Sequence, residues 1–103
     1  MHEELRAVNL SEGETSLIVD VVNGTIFDPV SVRYLWEDVA DGIELDGLDE
    51  KWDVDGASLV AKLRGLTYTQ TVAIIEAAER FWNLPTRSDN LADDLRLVGL
   101  LRD

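Results

Sequence analysis

The chain contains no cysteine and a single histidine, His2. The first absence excludes disulfides and thiolate zinc sites. Together they remove the ordinary nucleophile–base pairs, because His2 stands beside Met1, where the chain end frays, and no triad can be assembled around it. No glycine-rich phosphate loop is present. Carboxylate pairs arise by chance among 21 acids and carry no weight on their own. The expectation is a non-enzyme without metal or cofactor.

Cations are also scarce. Nine Lys and Arg face 21 Asp and Glu, a net charge of −12. A chain so short of positive charge lacks the basic face that a nucleic-acid backbone or an anionic membrane requires. No apolar run approaches the ~20 residues of a membrane span. The opening MHEELRAVNL is acidic where a secretory leader is basic and then apolar, so a cytoplasmic protein is expected. Only two prolines and seven glycines interrupt a composition that is 46% hydrophobic and 29% charged, an ordinary globular balance. A chain of 103 residues makes one domain able to bury roughly 65% of its unfolded surface.

What is present is helical periodicity. The stretch from Leu66 to Asn83 opens with Thr67 three residues before Gln70, the capping-box spacing. Ile74, Ile75, Ala77, Ala78, Phe81 and Trp82 spread over about half of its circumference. A face that wide needs partners on more than one side, so 67–83 is expected to be the central helix. Glu76 and Arg80 are spaced for an i,i+4 pair on its polar side.

The remaining elements are taken in chain order. Residues 1–10 form a lead-in with Leu5, Val8 and Leu10 available to pack. Ser11 and Glu14 repeat the capping-box spacing, and Leu17, Ile18, Val21 and Val22 continue it as a helical stripe. Asn23-Gly24 ends that helix, with Gly24 as the left-handed residue. A small α+β domain is the alternative, since LIVDVV is rich in β-branched residues and Asn-Gly is a strong hairpin signal. Against it, the run does not alternate, and Pro29 interrupts the second strand.

Asp28-Pro29 has the form of an N-cap and first helical residue, leading into the stripe Val32, Leu35, Trp36 and Val39 up to a stop near Gly42. An acidic connection, 37–55, carries Ile43, Leu45, Leu48 and Trp52 as pins to the core. A third helix starts at Asp53 or Asp55 and holds Leu59, Val60 and Leu63. The last runs from about Asp89 to Val98, with Gly99 and Leu100 as its C-terminal stop. The expected fold is an all-α compact bundle of about five short helices around 67–83.

Two motifs dissolve on inspection. Asp53-Val-Asp-Gly56 resembles part of a calcium loop, but the obligatory first and twelfth ligand positions then fall on Lys51 and Lys62. The hairpin of helices at 57–83 resembles a helix-turn-helix, but its second helix offers no lysine and the domain is strongly negative.

The acidic connection holds most of the functional content. Between Glu37 and Asp55 nine acids face Lys51 alone, a net −8 of the chain's −12. A solvated surface is the plain reading. The functional reading is a docking face for a protein partner with a basic surface, with Glu44, Asp46, Asp49, Glu50, Trp52 and Asp53 as the contact residues. Trp52 is its candidate aromatic anchor, although the rings of Trp36, Trp52 and Trp82 are all expected to fill core. The alternative is an inhibitor that imitates nucleic acid and occupies a nucleic-acid-binding protein. A homodimer built on leftover apolar faces is a further expectation.

Overall fold

The computed structural model describes residues 8–23 and 25–101. The expectations for Leu5, for His2 and for Gly24 as a left-handed stop lie outside the described residues. Within them the fold is all-α: α1 (Glu12–Val22), a 3-10 turn (Ser31–Tyr34), α2 (Leu35–Asp46), α3 (Leu48–Lys51), α4 (Gly56–Arg64), α5 (Tyr68–Trp82) and α6 (Leu91–Leu97). No described helix is long and apolar enough to cross a membrane.

Local chemistry sets most of the boundaries. At α5 the Gln70 amide donates to Thr67 Oγ1 (3.1 Å), and the Thr67 amide donates to Gln70 Oε1 (2.9 Å). Ser11 and Glu14 form the same reciprocal box at α1. Asp55, not Asp53, caps α4 by accepting from the Ser58 amide. Asp53 instead adopts a left-handed φ of 55°, which a short Asp side chain tolerates. The end of α6 is a Schellman motif: the Leu100 amide donates to Leu95 O, the Gly99 amide to Arg96 O, and Leu100 packs into the core.

LIVDVV is helix, and the hairpin alternative is set aside. α1 lies along α5 and also meets α2 and α6. Leu17 and Ile18 from α1 and Ile74 and Ala77 from α5 are fully buried in one shared core with Leu35, Val39, Leu59 and Leu95.

Three local expectations are corrected. Asp28 does cap, accepting from the Val30 and Ser31 amides, but the residues it caps form a 3-10 turn, and α2 starts only at Leu35. Gly42 does not stop α2. A Cβ there would lie 2.8 Å from Leu48 Cδ1, so the bare glycine lets the Leu48 side chain of α3 pack against α2, and the stop falls at Gly47 with φ 64°. The acidic connection is therefore mostly helical, the end of α2 and then α3. Finally, Arg80 does not pair with Glu76: its guanidinium donates to Val98 O and ties α5 to the end of α6.

Candidate functional site

Helical periodicity decides how the acids of 37–55 are displayed. On α2, Glu37, Asp41 and Glu44 stand at i, i+4 and i+7 and form one exposed stripe. Asp38, Asp41 and Asp46 turn toward α1, where with Asp20 they border an open cleft of about 360 Å³. Leu45 also lines this cleft and is 79% exposed, an apolar knob inside an acidic rim.

On this rim only Asp20 meets a cation among the described residues. Among the described residues the ion pairs are Lys51–Asp20 (2.7 Å), Lys62–Glu14 (2.9 Å) and Arg96–Asp93 (3.1 Å), and none engages an acid of 37–55. Lys51, the single cation of the segment, reaches out of it to α1. Partial burial, with Asp41 and Glu37 close by, holds the Asp38 carboxyl above its usual range. A cation placed in the cleft would relieve that repulsion.

The six contact residues inferred from sequence are divided by the fold. Asp46 lines the acidic cleft. Glu44 and Glu50 are exposed, Asp49 is half-buried, and Asp53 is exposed on its left-handed turn. Trp52 lies apart from the cleft. Its Nε1 donates to Asp20 Oδ2 (3.1 Å), the same oxygen that Lys51 binds, and the Lys51 ammonium stands 5.2 Å from its ring centroid.

The Trp52 ring lines a second, apolar cleft of about 260 Å³ with Phe81 and Trp82. There the Arg87 guanidinium covers both the Phe81 and Trp82 rings, at 4.5 and 4.9 Å, and Trp82 Nε1 donates to Val19 O. The three tryptophans thus edge the core instead of filling it: Trp36 and Trp52 are half-buried, and Trp82 is 38% exposed.

Sequence reasoning did not find Asp20, Asp38 or Leu45 as members of one site. Asp38 and Leu45 share a face at i, i+7, a signal present in the sequence once 35–46 is read as one helix. Asp20 joins them only through the packing of α1 on α2. Among the described residues no group of three or more His, Asp or Glu side chains is arranged to hold a metal ion.

The fold and its charged faces define a small all-α domain with an acidic cleft. No protein-family model, curated protein or solved structure matches the chain.

Proposed function

We propose that the chain is a non-enzymatic, cytoplasmic protein-interaction module that docks a protein partner on the acidic face of α2 and α3. The observation that carries this reading is that the acids of 37–55 take no cation among the described residues, while the one lysine of the segment is held by Asp20. The partner presents Lys or Arg side chains to Asp38, Asp41, Glu44, Asp46 and Glu50, with an apolar side chain beside them to cover Leu45. Charge of this density steers encounter and makes it salt-sensitive. Trp52 contributes through Asp20, which borders both clefts.

The test is capture from host lysate at low and moderate salt, with wild type beside the variant E44Q/D46N/D49N/E50Q. A protein held by wild type, released by salt and lost by the variant supports the docking face. Identical capture by both proteins overturns it. Competition of the captured protein by duplex DNA or RNA would place the module among inhibitors that imitate nucleic acid.

A further inference from the structure

A different face exposes apolar side chains between groups of charge. Four of the seven large apolar side chains exposed among the described residues, Ile26, Val30, Tyr34 and Tyr68, belong to the segment leading into α2 and to the start of α5. Ile26 is 94% and Val30 68% exposed. Beside them run two grooves that share the Tyr68 ring. One, about 330 Å³, is bordered by Arg33 and Arg64. The other, about 210 Å³, is lined by Phe27 and Val72 and bordered by Asp28, Glu76 and Glu79.

The charges along this face are ordered. The Arg33 guanidinium stands 5.3 Å from the Tyr68 ring centroid and Arg64 4.8 Å from that of Trp36, so both rest on aromatic rings and neither takes a carboxylate among the described residues. Glu76 and Glu79 lie beyond Tyr68 on the same helix, about 12 and 16 Å along the axis at 1.5 Å per residue. Their carboxylates take no cation among the described residues, since Arg80 is turned to Val98 O. The order is therefore positive, apolar, negative, with both charged ends unsatisfied.

We infer that this face pairs with a second copy of the chain about a two-fold axis. An isologous contact sets each residue of the patch against its counterpart's partner. An antiparallel crossing brings Arg33 and Arg64 of each copy against Glu76 and Glu79 of the other, twice at once, with the apolar side chains of both copies between them. A uniformly basic partner would leave the arginines opposed, and an acidic one the glutamates. Only a surface with the same order reversed satisfies both ends. The face shares no lining residue with the acidic cleft, so this inference stands or falls separately from the docking reading.

Charge reversal tests it. Wild type, R33E/R64E, E76R/E79R and an equal mixture of the two variants are sized by sedimentation at roughly 100 µM, where a dimer of micromolar Kd is still mostly formed. Wild type is expected to be a dimer that dissociates as salt rises. Each variant alone places like charges across the contact and is expected to pair at least ~100-fold more weakly. The mixture restores opposite charges at every contact and is expected to recover a dimer, which also shows that both variants are folded. A monomeric wild type at this concentration overturns the inference, as does a variant that dimerises alone as tightly as wild type or a mixture that fails to pair.

Discussion

The same functional group is treated in opposite ways in two parts of the molecule. Glu14, at the start of α1, is 6% exposed and fully engaged: one oxygen accepts from the Ser11 amide, and both accept from the Lys62 ammonium. Lys62 also donates to Asn9 O, so one lysine joins α4 to α1 and to the segment before it. The acids of α2 and α3 are mostly exposed, and among the described residues no cation meets them. Buried carboxylates must be satisfied, whereas exposed ones are hydrated at little cost. Glu14 thus explains itself by the fold. The stripe of Glu37, Asp41 and Glu44 does not, and it forms part of the face proposed above for a partner.

The contrast can be broken at several points. The largest effect is expected at the centre, where Ile75 is 3% exposed. Ile75→Asp buries a lone carboxylate and should abolish cooperative unfolding, because an ionised group in this core has no partner. A cooperative thermal melt for this variant would show that α5 does not cross the core. Next comes Lys62→Ala, which leaves Glu14 buried without its cation and should cost about 1–3 kcal/mol in urea denaturation. By contrast, E44Q/D46N/D49N/E50Q removes four charges at once and should keep stability within about 1 kcal/mol of wild type, with any change a gain at low salt. A large loss would mean that these acids serve the fold after all.

The smallest effect is at Asp38. Its carboxyl is held above the usual range, so the folded state binds the proton more tightly than the unfolded chain does. Ionisation at Asp38 therefore weakens the fold as pH rises from the ordinary carboxylate value through the raised one. Asp38→Asn should raise Tm slightly near neutral pH, and the gain should vanish below the ordinary carboxylate pKa of 3.8. Asp28 has the opposite sign. The Ser31 and Val30 amides lower its pKa, so its contribution is present above the ordinary value and lost as pH falls through the lowered one.

Features that depend on adjacent residues were legible in the sequence. The boxes at Ser11 and Thr67 and the stop at Gly99 each need only a few neighbouring side chains, whereas the cap of α4 stays open between Asp53 and Asp55 until the fold selects Asp55. Gly42 misled because its reason is tertiary: the same residue that can end a helix can also let Leu48 approach one. A helix stopped at Gly42 leaves the acids beyond it as loop and separates Leu45 from the face that holds Asp38 and Asp41. Arg80 likewise satisfied a helical spacing rule while its guanidinium found a carbonyl 18 residues away. The chain's acidity is visible in the sequence, but that the acids of 37–55 take no cation among the described residues depends on where Lys51 and Lys62 point.

The claim that α2 and α3 present charge for a partner is tested most directly by one affinity comparison. The captured partner is titrated against wild type and against E44Q/D46N/D49N/E50Q at low ionic strength, with both proteins shown to melt alike. A loss of at least about tenfold for the variant, shrinking as salt is added, is the predicted result. Equal affinities would contradict it and leave the acidic face as hydrated surface.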